Sequence, residues 1–208
     1  MVSVQRREFG PGADVTVLLC RHGRTALNAQ GVLRGRLDPP LDEVGRAEAE
    51  ALARALVPWR PRRVLSSPRQ RAQQTAAALA KAVGLAVEVD PRLDDRDYGE
   101  WAGLPASDLV ARFGSVDAAP GVEAVEAVAA RARRALLDAA AEALGGTVVL
   151  VAHDAVNRAL LRALDPSLGD PERLPQPTGC VNVLERSAGQ WRVDVVGRVG
   201  TGRRQPGP

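Results

Sequence analysis

Apolar positions fall into two patterns along the chain. Short unbroken runs, "VTVLLC" at 15–20 and "TVVLVA" at 147–152, have the length and branching of strands covered on both faces. Elsewhere apolar residues recur at helical spacing. Asp42 stands where it can cap a helix whose inward face is Val44, Ala47, Ala51, Leu52 and Ala55. "RRVLSS" reads as a short strand and "SSPRQRAQQTAAALAKAV" as the helix after it, with Ser67 as N-cap and Pro68 in the first helical position. That helix carries a stripe of Ala72, Ala76, Leu79 and Val83. "LAVEVD" predicts a third strand, and residues 91–121 are loop-rich with one short helix near 105–112. A long helix over about 122–144 puts Val125, Ala129, Ala132, Leu136 and Ala140 on one face. After "TVVLVA" a helix begins near Asp154, and "CVNVLER" with "QWRVDVVG" reads as a closing pair around the turn "SAG". Strands alternating with helices predict an α/β fold, a three-layer α/β/α sandwich with a mostly parallel central sheet. Residues 1–197 read as one domain, and "RVGTGRRQPGP", 198–208, as a disordered tail because it has no apolar face.

Composition narrows the classes. A chain of 208 residues buries a substantial core without staples. No apolar run approaches the roughly 18–20 residues that cross a bilayer, and "MVSVQRREFG" lacks the apolar middle of a signal peptide. The expectation is a soluble, cytoplasmic protein with no membrane partner. Cys20 and Cys180 are too few for a disulfide framework or a Cys/His metal site and read as buried reduced thiols. The net charge is only +3, yet Lys81 is the sole lysine, so the positive charge is almost all arginine. No basic block is interleaved with aromatics, so no nucleic-acid partner is expected.

The chain has two histidines, and each ends an oily run: His22 after "VTVLLCR" and His153 after "TVVLVA". In open α/β sheets ligands bind beyond the carboxyl ends of the strands. Arg21 accompanies His22, and "LSSPRQRAQQT" puts Arg69 and Arg71 just after another strand, at a helix N-terminus. Imidazoles and guanidiniums at one sheet edge form an anion pocket. A neutral imidazole can attack phosphorus and form a phosphohistidine that water hydrolyses. Arginines then neutralise the phosphoryl oxygens without a metal, and a carboxylic acid protonates the leaving oxygen. Asp94, Asp95, Asp97 and Glu100 in "RLDDRDYGEW" are the candidates for that acid.

These residues match a known pattern. "LLCRHGRTALN" resembles the RHG signature of the histidine phosphatase superfamily, whose members have the phosphoglycerate mutase-like fold. "RGRLDPPLDEVGRAEAEAL", "SSPRQRAQQTA", "LDDRDYGEWAGL" and "VVLVAHDAVNRALL" resemble the segments that follow, in order, over about residues 15–165. The resemblance implies that His22 accepts the phosphoryl group, that Arg21, Arg71 and His153 complete the phosphate pocket, and that Asp95 is the general acid, a position more often Glu. Thr25 and Asn28 stand where further oxygen-binding groups are common. Arg34 takes a frequent Gln position. Tyr98 and Trp101 are candidates for the pocket rim, with core packing the equal alternative for Trp101. Arg24 replaces a usual Glu, and Val32 a frequent Arg. Asp154 follows the second histidine where Gly is frequent; it can orient His153, donate a second proton or cap its helix, and capping is the preferred reading. An imidazole at the sheet edge is expected to contribute little to the core.

The resemblance implies a phosphomonoester hydrolase acting on a small phosphorylated metabolite, with no cofactor and no metal, and it admits a homodimer. A mutase must retain a bisphosphate, and "PASDLVARFGSVDAAPGVEAVEAV" offers only Arg112 for a second phosphate. Phosphatase is therefore expected over mutase-type phosphoryl transfer. A member of the fold that binds a phosphorylated ligand without turnover is the other alternative.

Overall fold

A computed structural model of the chain describes residues 13–143 and 146–199. Six strands form one sheet in the order β3-β2-β4-β1-β5-β6. They are β1 (Ala13–Arg21), β2 (Arg63–Ser66), β3 (Val87–Val89), β4 (Thr147–Ala152), β5 (Cys180–Ser187) and β6 (Gln190–Val199). The pairs β1–β4, β4–β2 and β2–β3 are parallel, and β5 and β6 add an antiparallel edge. The helices are α1 (Ala26–Ala29), α2 (Glu43–Leu56), α3 (Gln70–Val83), α4 (Ala106–Phe113), α5 (Val125–Glu142) and α6 (Asp154–Leu164). Among the described residues no helix is long and apolar enough to cross a membrane.

Strand alternation divides the core into two layers. Leu18 and Cys20 of β1 join Val149 and Val151 of β4 against Leu52 and Leu56 of α2 and Ala76 and Leu79 of α3. Val17 and Leu19 face the other way with Val148 and Leu150, against Val128 and Leu136 of α5 and Val156 and Leu160 of α6. The continuous apolar runs are thus strands covered on both sides, as expected. A small third core, Tyr98, Trp101, Leu109 and Ala119, lies under the segment around α4.

Three local expectations change. First, α2 buries Gly45, Ala49, Leu52, Ala53 and Leu56, and Val44 is 43% exposed, so the helix is rotated from the stripe expected for it. The cause is Gly45: a Cβ there would lie 1.9 Å from the Arg24 carbonyl oxygen, and one on Gly23 would lie 2.3 Å from the Gly45 carbonyl oxygen. The loop after β1 crosses the first turn of α2 backbone to backbone, and that contact sets the helix face. Second, α3 starts at Gln70 with Arg69 as N-cap, so Ser67 caps nothing. Third, β6 extends through Val199, so residues 198 and 199 are paired strand and not tail; the rest of that expected tail, 200–208, lies outside the described residues. Asp42 caps α2 as expected, accepting from the Gly45 N–H at 2.7 Å.

Candidate active site

Parallel in-register pairing explains why both histidines follow oily runs. Arg21 of β1 lies opposite Ala152 of β4, and the His22 N–H donates to the Ala152 carbonyl at 3.1 Å. The next residue on each strand is a histidine, and the two rings meet with centroids 5.1 Å apart. Both are fully buried, so His22 is part of the interior and not the edge imidazole expected. Its Nδ1 and the Gly23 carbonyl oxygen are 2.6 Å apart. A carbonyl only accepts, so the proton sits on Nδ1 and leaves Nε2 bare. That Nε2 has no hydrogen-bond partner. Burial, then the Arg71 and Arg21 charges, hold the His22 pKa well below the ordinary imidazole value. The result is a neutral, nucleophilic nitrogen.

Arg71 is completely buried and ties the site together. Its guanidinium donates to the Leu37 carbonyl at 2.7 Å, the Gly35 carbonyl at 2.9 Å and Asp95 Oδ2 at 2.8 Å. Asp95 Oδ2 is also 3.5 Å from His153 Nδ1, and its Oδ1 accepts the Arg96 N–H at 2.9 Å. Burial pushes the Asp95 pKa up; the Arg71 charge opposes that, and Asp154 adds to it. His153 is held neutral by burial and the nearby Arg71 charge. Buried nitrogens without partners occur on Arg21, His22, Arg34, Arg71 and His153, a set suited to phosphoryl oxygens and phosphorus.

Asp154 accepts from its neighbour's N–H, Ala155, at 2.9 Å, as a first-turn carboxylate, while His153 is the N-cap residue. Its main partners are Arg21 at 3.5 Å and Arg34 at 3.4 Å. Capping is therefore a minor part of its role: it orients two pocket arginines. Burial alone would raise its pKa, but Arg21 and Arg34 outweigh that and hold it well below the usual carboxylate range. Thr25 and Asn28 form a capping box on α1, which engages the Thr25 hydroxyl and the Asn28 amide oxygen. Tyr98 departs from the rim expected for it. It is buried in the third core against Gly35 and Arg96, and burial pushes its phenol far above its ordinary value. Trp101 packs in the same core.

Arg24, the unexpected charge, turns away from the pocket. Its Nε donates to Asp42 Oδ2 at 2.8 Å, and its N–H donates to Glu48 Oε2 at 2.7 Å. A glutamate there would face two carboxylates. Arg69 is likewise outside the phosphate pocket, forked onto Asp94 at 2.7 and 2.6 Å.

Three supporting groups escape sequence reading. Arg131 of α5 donates to the carbonyls of Arg92, Asp94 and Asp95 at 2.9, 2.6 and 3.1 Å, pinning the acid's loop. The Ser67 hydroxyl meets His153 Nε2 at 2.7 Å. A strap over 176–179 runs beside the RHG loop. The Gln176 carbonyl accepts from Arg21, Gly179 N–H donates to the His22 carbonyl at 3.1 Å, and Thr178 donates to Glu48 at 2.8 Å. The Gln176 side chain of that strap is locked by Asn157 and Asn182, at 3.1 and 2.7 Å, in a buried amide cluster. Only Ser67 lay inside a motif, where helix-capping explained it away.

Beyond Asp154 opens a cavity of about 640 Å³ between α4, α5 and α6, with Leu33, Val110, Val116, Val125 and Ala155 among its apolar walls. Asp117, Glu126, Asp170 and Arg158 also line it. Arg96 at its edge is engaged by Asp117 at 2.6 Å. Arg112 stacks over Trp101 and Phe113, 5.3 and 5.1 Å from their centroids.

Residues 17–198 match the model of the histidine phosphatase superfamily (branch 1). Glucosyl-3-phosphoglycerate phosphatase of Mycobacterium tuberculosis (strain ATCC 25618 / H37Rv) is 37% identical over 165 residues, covering 71% of this chain and 74% of that enzyme. An uncharacterized phosphatase of Bacillus subtilis, PhoE, is 29% identical over 181 residues, covering 85% and 91%. The solved structure of mycobacterial glucosyl-3-phosphoglycerate phosphatase with VO3 superposes with a TM-score of 0.78 at 32% identity, covering 88% of this chain and 98% of that one. Bacillus stearothermophilus YhfR gives a TM-score of 0.81 at 26% identity, with 89% and 98% covered.

Proposed function

Because the chain belongs to the histidine phosphatase superfamily and is a phosphomonoester hydrolase, we propose that it works through a phosphohistidine on His22. The supporting observation is the bare, buried Nε2 of a ring whose Nδ1 proton is held by Gly23. Nε2 attacks phosphorus in line as the phosphorus–ester oxygen bond breaks, and Asp95 gives its proton to the departing oxygen. Arg21, Arg71, Arg34 and His153 hold the phosphoryl oxygens as charge spreads over them. Water then attacks phosphorus, the Asp95 carboxylate takes the water proton, the P–N bond breaks, and inorganic phosphate leaves. His22 returns to its starting tautomer.

The leaving alcohol occupies the cavity beyond Asp154, whose size is that of a small-molecule site. Its apolar walls and carboxylates, with Arg158 as the cation besides Arg96, suit a carbon-rich alcohol bearing a single carboxylate and no second phosphate. A phosphorylated glycoside acid of the kind named for the mycobacterial relative fits that description. Two buried free cysteines support a reducing, cytoplasmic setting.

The test is rapid alkaline quench with radiolabelled phosphomonoesters, run alongside turnover of a panel of mono- and bisphosphates. Wild type is expected to yield acid-labile label on protein; His22→Asn should carry none and hydrolyse at least about a thousandfold more slowly. Turnover by wild type without trapped label, at quench times shorter than one turnover, would overturn the covalent route. Faster turnover of bisphosphates than of monophosphates would overturn the substrate class.

A further inference from the structure

Ser67 follows the last residue of β2, and its side chain points at the second histidine instead of capping α3. Its hydroxyl has one proton and two lone pairs. The Arg69 N–H donates to the oxygen at 3.3 Å. Among the described residues, the only acceptor within hydrogen-bond reach of the Ser67 proton is His153 Nε2, at 2.7 Å. Both residues are fully buried, so no solvent competes for that proton. The other ring nitrogen, Nδ1, has no hydrogen-bond partner and stands 3.5 Å from Asp95 Oδ2. A neutral imidazole that accepts at Nε2 carries its proton on Nδ1.

We propose that Ser67 is a positioning residue that fixes His153 as the Nδ1–H tautomer, so that an N–H and not a lone pair faces the phosphoryl oxygens. The inference rests on the phosphohistidine reading and deepens it. The two imidazoles then carry opposite tools on adjoining rings. His22, whose Nδ1 proton is held by a carbonyl, offers a lone pair to phosphorus. His153, whose Nε2 is held by a hydroxyl, offers a proton to an oxygen. A bare Nδ1 at His153 would set a lone pair against phosphoryl oxygens. Burial and the neighbouring guanidiniums keep His153 neutral, so a second proton cannot supply the missing donor. The tautomer has to be chosen, and the Ser67 hydroxyl is the group placed to choose it.

The chain's two histidines make the test clean. Full-length protein with isotopically labelled imidazole nitrogens shows two rings by NMR, and His153→Asn assigns them. Wild type is expected to show His153 protonated at Nδ1 and bare at Nε2. In Ser67→Ala the His153 signals should move toward a tautomer mixture, and kcat should fall by about 10–100-fold, by analogy with the loss of a metal-bound histidine's outer partner. The His22 signals should stay where they are. Ser67→Thr keeps the hydroxyl and should keep the tautomer. A wild-type ring protonated at Nε2, or a folded Ser67→Ala protein with an unchanged tautomer, would overturn the proposal. The NMR reading needs no substrate and no variant that folds poorly. Wild type with the Nδ1–H tautomer but no trapped phosphohistidine would instead overturn the reaction reading.

Discussion

Asp95 sits between a guanidinium and an imidazole, and its proton decides which esters the protein can cleave. Burial favours the protonated acid and Arg71 favours the carboxylate, with the balance lying above the ordinary aspartate value. Asp95→Asn is expected to slow esters of poor leaving alcohols by about 10²–10⁴-fold and aryl esters far less, because an aryl oxide leaves without a proton. Steady-state rates on an alkyl and an aryl phosphate make the comparison. Equal losses on both would remove Asp95 from the acid role. Among single residues, the motif positions were legible because chemistry restricts them: a bare imidazole, a fork for phosphoryl oxygens, an acid in reach. Arg24 was not. Its partner Asp42 is 18 residues away, and only the crossing of the loop over α2 brings the two together.

At the scale of elements, α2 shows where periodicity misleads. Helical spacing alone puts Val44 inside, whereas the structure turns Gly45 inward because the chain after β1 leaves no room for a side chain. The two views differ in sign. Helix propensity says Gly45→Ala should stabilise by about 1 kcal/mol. The contact of its Cβ with the Arg24 carbonyl at 1.9 Å says that backbone must move, at a cost of about 1–3 kcal/mol or more. Denaturant unfolding is expected to show net destabilisation, with activity falling because the displaced loop carries His22. The same limit affected α3, where Ser67 reads as the N-cap and Pro68 as the first helical residue. Nothing in a helix-start pattern records that another strand delivers a histidine to the same hydroxyl. Strands β1 and β4 were the easiest elements to read, since burial on both faces leaves an unbroken apolar run.

At the scale of the molecule, keeping two imidazoles neutral in the interior has a thermodynamic consequence. Both folded-state pKa values lie below the ordinary 6.5. Their contribution to stability is therefore fully present above that value and is lost as pH falls, since the unfolded chain takes up protons that the folded one refuses. Below about pH 6.5 each buried histidine can tilt stability by up to about 1.4 kcal/mol per pH unit. Asp95 works in the opposite direction, because its raised pKa lets the folded state bind a proton before the unfolded chain does. Thermal unfolding between pH 7 and 5 should show a falling Tm in wild type and a flatter profile in His22→Asn/His153→Asn. A profile equally steep in the double variant would assign the loss to other groups. The layered α/β/α arrangement was legible from alternation, but the cavity beyond Asp154 was not, because its walls come from three helices distant in sequence. The pairing of β1 with β4 also acts as a gauge. A slip by one residue would exchange the side chains packed against α2 and α3 for those packed against α5 and α6, and would part the two imidazoles at the same time. Core packing and catalytic alignment are therefore set by one register: a chain that has seated both layers has also brought its two histidines together.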